Sequence, residues 1–244
     1  DATASFEVVW DAVPPQVRYD VAPGVAYQLD RIEVAYTQEP GGKMLSPPPV
    51  YVSPGLQQGA VGTAQSILDG EKQVADEATN AGYPFATVYD RRVVVNHDTH
   101  TVNVTYFLSL GALLNFGEVR LSGLDEVHDE AVLRELPWQK GETYRAALLA
   151  RAEEKLLKTG LFTAVRVTPA SPSETLDGLI PITIELTERK HRSIGIGLQY
   201  RTDEGVGVGG RWEHRNFMGL GRRLRVSGNL TELEQSFSTD YEIQ

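Results

Sequence analysis

The sequence predicts an α+β chain: a repeated β-α-α-β-β unit, followed by a run of antiparallel strands. Three observations predict it. Amphipathic stretches that stop at Gly82 and Gly160 are each followed by two β-rich segments. Landmarks also recur at a fixed interval. Gly24 lies eight residues before Ile32, Gly111 lies eight before Val119, and the two pairs are 87 residues apart. Such self-similarity marks an array of modules. After Arg192, finally, the helical period gives way to alternation with frequent glycine.

Taken in order, Ser5–Trp10 and Val17–Val21 are β-rich and flank Val13-Pro14-Pro15-Gln16, so they read as a hairpin. A lone hairpin is marginal in water, so it is expected to belong to a larger domain. Tyr27, Leu29, Ile32, Val34 and Tyr36 form a strand. Residues 38–59, with Gly41-Gly42, Pro47-Pro48-Pro49 and Pro54-Gly55, read as a long loop with Val50-Tyr51-Val52 extended. Two apolar stripes follow, Val61-Ala64-Ile67-Leu68 and Val74-Ala75-Ala78-Ala81, and predict two helices before Gly82. Strands at Tyr83–Val95 and Thr101–Ser109 close the unit.

The same order then returns. Asn115–Ser122 is a strand, His128–Leu136 a short helix ended by Pro137, and Tyr144–Thr159 a longer helix ended by Gly160. Strands at Leu161–Pro169 and Leu179–Glu188 follow. Gly82-Tyr83-Pro84-Phe85-Ala86-Thr87-Val88 lies over Gly160-Leu161-Phe162-Thr163-Ala164-Val165 with one residue slipped.

The tail holds four two-faced segments. Ile194, Ile196, Leu198 and Tyr200 alternate with Gly195, Gly197, Gln199 and Arg201. Val206–Trp212, Leu224–Leu230 and Phe237–Ile243 alternate likewise. Turns fall at Thr202–Gly205, Phe217–Gly221 and Thr231–Glu234. Segments of about ten residues, one side apolar and the other polar, have the form of membrane β-barrel strands. Tyr200, Trp212, Phe217 and Tyr241 then suit the membrane interface. A soluble β-meander with one buried face fits the alternation equally well.

Composition excludes several classes. The formal charge is −10, with 23 Lys plus Arg against 33 Asp plus Glu, which argues against nucleic-acid binding. Cysteine is absent, so disulfides, thiolate metal sites and cysteine nucleophiles are excluded. The longest apolar runs fall far short of the ~20 residues of a membrane helix. The N-terminal Asp1-Ala2-Thr3-Ala4 has neither the basic region nor the apolar core of a signal peptide. Gly205–Gly210 imitates a dinucleotide loop, but a strand follows it where that chemistry needs a helix N-terminus. His97 and His100 stand three apart without a third ligand nearby, and Glu153-Glu154 read as solvated charge on a helix face. No catalytic motif, cofactor site or metal site is predicted.

The helix followed by Gly160-Leu161-Phe162-Thr163-Ala164-Val165-Arg166-Val167 and a hairpin resembles a POTRA (polypeptide-transport-associated) domain. The resemblance implies two helices on a three-stranded sheet. It divides the chain into the C-terminal hairpin of a truncated first POTRA (1–24), a second POTRA (25–110), a third (112–190) and about four barrel strands (191–244). POTRA units followed directly by a barrel are similar to the BamA-like outer-membrane assembly superfamily. The glycine-rich Gly195-Ile196-Gly197, Trp212 and Asn216–Gly221 resemble the start of its barrel. Within it, Ile194–Arg225 and the preceding unit most resemble the TamA family of translocation and assembly module subunits.

That resemblance implies a non-enzymatic factor for assembly and autotransporter secretion in a Gram-negative outer membrane, with POTRA units in the periplasm. Its partners are unfolded or partly folded outer-membrane clients, an inner-membrane-anchored TamB-like protein and outer-membrane lipid. Clients would add to a free sheet edge by main-chain hydrogen bonds. The candidate edges are Tyr83, Phe85, Thr87 and Tyr89, and Leu161, Thr163, Val165 and Val167. The seam strand of the barrel corresponds to Ser193, Ile194, Gly195, Ile196, Gly197, Leu198, Gln199 and Tyr200. Arg189, Lys190 and Arg192 are candidates for lipid phosphates; the alternative for these and for Arg211, Arg215, Arg222, Arg223 and Arg225 is solvated linker and lumen charge. Four strands do not close a spanning barrel, so the tail is expected to pair with a neighbouring copy or to be held by detergent. A two-partner-secretion pore and a soluble periplasmic scaffold are the rival readings.

Overall fold

The computed structural model describes residues 3–9, 16–22, 24–201, 205–231 and 234–243. Trp10, the Val13–Pro15 turn, Thr202–Glu204 and Glu232-Leu233 lie outside the described residues. The chain divides into two compact units at Ala112/Leu113.

In the first unit, β1 (Thr3–Val9) and β2 (Gln16–Ala22) pair antiparallel, Thr3 opposite Ala22. Strands β3 (Gln28–Thr37), β4 (Thr87–Asn96) and β5 (Thr101–Ser109) form a sheet ordered β3-β5-β4, with β5 parallel to β3 and antiparallel to β4. Helix α1 (Ala64–Asn80) is capped by Thr63, whose hydroxyl accepts from the Ser66 N–H. Its buried stripe, Ile67, Gly70, Val74 and Ala78, joins Leu29, Val102, Val104, Tyr106 and Leu108 in the core.

Here the structure corrects the prediction of two helices. From Ala64 on, both stripes belong to one continuous helix, because Gly70 is no break; Val61 precedes it and bridges Gln28, and Leu68 is exposed. A Cβ there would lie 2.7 Å from the Tyr106 hydroxyl, which donates to the Ile67 carbonyl at 2.7 Å. The glycine makes room for a tyrosine bonded to the helix backbone. No helix forms over 38–63, where glycines and prolines forbid one. Val50–Val52 is not a strand; the Val52 N–H donates to the Tyr36 hydroxyl (3.0 Å). Gly82, at φ +103°, ends α1 as expected.

In the second unit, β6 (Asn115–Ser122), β7 (Phe162–Pro169) and β8 (Leu179–Glu188) form a sheet ordered β6-β8-β7. Helices α2 (Asp129–Leu133) and α3 (Ala146–Lys158) separate β6 from β7. Phe116 stacks on Trp138 with centroids 4.7 Å apart and packs against Tyr144. The repeat extends to irregularities. The parallel register slips between Leu29 and Ile32 in one sheet and between Phe116 and Val119 in the other, positions 87 residues apart in both cases.

Four strands complete this unit: β9 (Arg192–Arg201), β10 (Gly205–Phe217), β11 (Arg222–Leu230) and β12 (Gln235–Glu242). They form an antiparallel meander ordered β12-β11-β10-β9. The register aligns Ile194, Trp212, Val226 and Thr239 on one face and Ser193, Glu213, Arg225 and Asp240 on the other. Among the described residues, no helix is long and apolar enough to cross a membrane, which says nothing about strands.

Candidate functional site

Both α+β sheets keep their central strand third in order, so β4 and β7 are edges, as predicted. Thr87 and Tyr89 lie on β4, and Thr163, Val165 and Val167 on β7. Tyr83 and Phe85 do not belong to the edge. They occupy the turn before β4, where Pro84 interrupts extension and Tyr83 is buried in the core. Leu161 is likewise buried just before β7, its carbonyl accepting from the Arg189 N–H (2.8 Å).

The two edges differ. On β7 the Val167 N–H donates to the Glu153 carboxylate of α3 (2.7 Å), so part of this edge is already satisfied. Glu153 is therefore not simply solvated charge; Glu154, paired with Lys158, is. On β4 the Arg91 N–H donates to the carboxylate of its own neighbour Asp90 (2.8 Å), whereas Val93, Val94 and Val95 further along are 40–49% exposed and carry no side-chain cap among the described residues. Such a valine-rich edge segment offers unpaired backbone groups to another chain. The opposite edge, β3, is covered at both ends by its own loop: Gln28 bridges Val61 and Thr37 bridges Met44.

A second constellation joins the last sheet to the strand meander. Glu188, at the end of β8, accepts N–H bonds from Asp125 (2.7 Å), Glu126 (3.1 Å) and Val127 (2.9 Å), and from His191 Nε2 (3.0 Å). Burial pushes this carboxyl up, but the donors outweigh burial and hold it below its ordinary value. From the other side, Asn216 Nδ2 donates to the Glu126 carbonyl (2.8 Å), and its Oδ1 accepts from Gly221 N–H (3.0 Å). The His128 N–H donates to the Gly219 carbonyl (2.9 Å). A register shift between His214 and Phe217 re-aims Asn216 toward the α+β domain. Gly219 (φ +74°) is required, since a Cβ would meet the His128 ring at 2.7 Å.

The predicted seam strand, Ser193–Tyr200, is the outermost strand β9. Ile194, Ile196, Leu198 and Tyr200 on it are 73–83% exposed. Glu213 is 9% exposed on the polar face, with Arg215, Arg223 and Arg225 at 3.0, 3.6 and 3.7 Å. Arg189 and Lys190 are exposed in the linker, and Arg192 opens β9. His97 bonds the Tyr27 hydroxyl (2.7 Å), and His100 packs on the same ring.

Reasoning from sequence missed Glu188 and Glu213, took Glu153 for solvated charge and named Asn216 only within the barrel-start resemblance. The available signals were an acid before a basic linker and an Asn opening the Asn216–Gly221 turn.

Comparison with known proteins agrees with this architecture. Residues 114–189 match the POTRA family model, described as a surface antigen variable number repeat. The chain is 26% identical over 173 residues to the outer membrane protein assembly factor BamA of Nitratidesulfovibrio vulgaris, covering 70% of this chain and 21% of that protein. It spans about a fifth of the length of the curated BamA relatives it matches. The crystal structure of Haemophilus ducreyi BamA lacking POTRA domains 1–3 superposes with a TM-score of 0.68 at 23% identity, covering 77% of this chain and 35% of that one. Haemophilus influenzae BamA POTRA3–5 gives 0.51 at 19%, covering 77% and 72%. The fold is that of POTRA units followed by the start of a barrel wall.

Proposed function

We propose that the chain is part of a BamA-like outer-membrane protein assembly or translocation factor. Its POTRA units stand in the periplasm, and β9–β12 form part of a barrel wall in the outer membrane. The POTRA units take extended client segments by strand addition, a binding function that needs no cofactor or catalytic group. The observation that supports this reading is the exposed Val93–Val95 segment of the β4 edge, beyond the Asp90 carboxylate that caps the Arg91 N–H, beside a β7 edge partly closed by Glu153. Main-chain pairing suits clients of varied sequence, because every residue except proline offers the same donor and acceptor.

The absence of cysteine makes the test clean. Val94→Cys and Val165→Cys are each offered an extended peptide from an outer-membrane client carrying one cysteine. The disulfide is expected at position 94 and not at 165. Equal trapping at both, or none at 94, overturns the assignment of the edge. Trapping restricted to one dedicated substrate instead favours the two-partner-secretion reading. The narrower TamA-type assignment rests on the sequence of Ile194–Arg225 and its preceding unit. It requires the full-length protein to retain a TamB-like periplasmic partner in detergent, and loses its basis if none is retained.

A further inference from the structure

We propose that Arg192 and Arg222 form a phospholipid-phosphate site at the periplasmic end of the wall's apolar face and set its depth in the bilayer. This rests on reading β9–β12 as membrane wall.

The register sorts the arginines of the tail by face. Arg215, Arg223 and Arg225 lie with Glu213 on the polar side, and Arg223 also pairs with Glu242 (3.1 Å). Their charge is answered within the sheet. Arg192 and Arg222 fall on the other side. Arg192 stands opposite His214, two residues before Ile194 on the same face. Arg222 stands opposite Phe217, two residues before Leu224. Neither has a carboxylate partner among the described residues; Arg222 donates to the Tyr241 hydroxyl (3.2 Å). Two uncompensated guanidinium groups thus sit where an exposed apolar face begins.

The rings around them fit the same plane. Trp212, His214, Phe217 and Tyr241 form a continuous aromatic chain with successive centroids 6.0, 6.1 and 6.4 Å apart. Amphipathic rings settle at the headgroup level of a bilayer. Arginine arms lie along apolar surface and raise the charged head to the interface. The planar guanidinium fork fits phosphate oxygens in pairs. Arg192 is level with Leu224, so Arg222 lies two strand spacings across and two residues along, about 12 Å away, a gap that two arginine arms can close on one phosphate. Positive charge at the margin of an apolar face complements a bilayer phosphate. Arg189 and Lys190 precede β9 in the linker and are not part of either face of the meander.

The test uses the full-length protein reconstituted in phosphatidylethanolamine–phosphatidylglycerol vesicles, then extracted and weighed with its retained lipid. The R192Q/R222Q variant is expected to lose phosphatidylglycerol retention by about ten- to thirty-fold, the effect of two cations near a lipid surface. R189Q/K190Q is expected to match the wild type, and R192K/R222K to fall between. Full retention by R192Q/R222Q overturns the proposal, as does a larger loss in R189Q/K190Q. If equimolar inorganic phosphate empties the site, the ligand is free phosphate and the lipid assignment fails. Flotation of the same samples separates the two levels of inference. A wild type that does not float with vesicles overturns the wall reading and this site together. A floating wild type whose R192Q/R222Q variant floats but retains lipid overturns the site alone.

Discussion

The middle and last POTRA units share a sheet order and even their register slips, yet expose opposite features. The middle unit places a proline-rich loop over 38–63, where the last unit has α2. It leaves three exposed valines on β4 past the Asp90 carboxylate that holds the Arg91 N–H. The last unit closes part of β7 with Glu153 and binds its 125–128 segment from two sides through Glu188 and the Asn216 turn. One core thus supports two different margins, one with an exposed valine run on its edge strand and one whose loops are already engaged. What separates them is a handful of polar side chains at the margins, not the packed interior.

The strongest way to break the comparison is Glu188→Ala. It strands three backbone N–H groups and His191, and should cost about 3–5 kcal/mol in the last unit. Hydrogen exchange should rise at 125–128 while the α1 amides stay protected; equal loosening of both units would mean that the junction is not local. The pH dependence has a definite sign. The folded carboxyl lies below its ordinary value, so its stabilisation is present above the unfolded pKa of about 4.3 and is lost as pH falls through the lowered folded value. Acid titration of the 125–128 amides reads this directly, and Glu188→Ala should abolish the step.

Next in size is Gly70→Ala, at about 2–3 kcal/mol, because the new methyl meets the Tyr106 hydroxyl. Adding Tyr106→Phe should restore part of that loss, with the Pro54 carbonyl at 3.1 Å still crowding the methyl against its helix propensity. Denaturant unfolding of the four members of this double-mutant cycle checks it; additive losses would sink the account. Burial pushes the Tyr106 hydroxyl up to about 12, with Arg91 opposing and Glu71 adding to the shift. Its contribution is therefore full below the unfolded pKa of about 10 and lost as pH rises toward 12. Tyr106→Phe should flatten that alkaline decline.

Asn216→Ala should cost about 1–2 kcal/mol by freeing the Glu126 carbonyl and the Gly221 N–H. Limited proteolysis within 216–221 is the readout, and unchanged cleavage would show that the His128–Gly219 bond alone holds the turn. The smallest effect sharpens the comparison most. Glu153→Ala should cost only about 0.5–1.5 kcal/mol, yet uncover the Val167 N–H on β7. In the crosslinking assay this variant should begin to trap peptide at position 165. If it does not, edge capping is not what distinguishes the two units.

Much of this architecture was legible in the residues themselves. The glycine stops, the 87-residue interval and the two-faced tail are local or periodic signals, carried by neighbours within a turn of helix or a strand pair. They located the strands and the apolar face of the meander, although β10 runs on to Phe217, past the expected Trp212, and β4 begins at Thr87, after the expected Tyr83. Misreadings arose where a local signal had a distant cause. The two apolar stripes read as two helices because nothing nearby announces Tyr106, which lies on another strand and takes the space at Gly70. Tyr83 and Phe85 looked extended, but the turn around Pro84 and the pull of the core place them before the edge begins.

The sequence by itself therefore determined which segments become helices and strands, how the unit repeats and which side of each tail strand is greasy. Each of these follows from spacing along the chain. Only the tertiary structure decided which edge is open, which acids are engaged and which arginines are left unanswered. Glu153 finds its partner 14 residues away, Glu188 up to 63 and Asn216 90. Hydrogen bonds and charge pairs depend on distances of a few ångströms in space, and folding alone brings such separated groups that close.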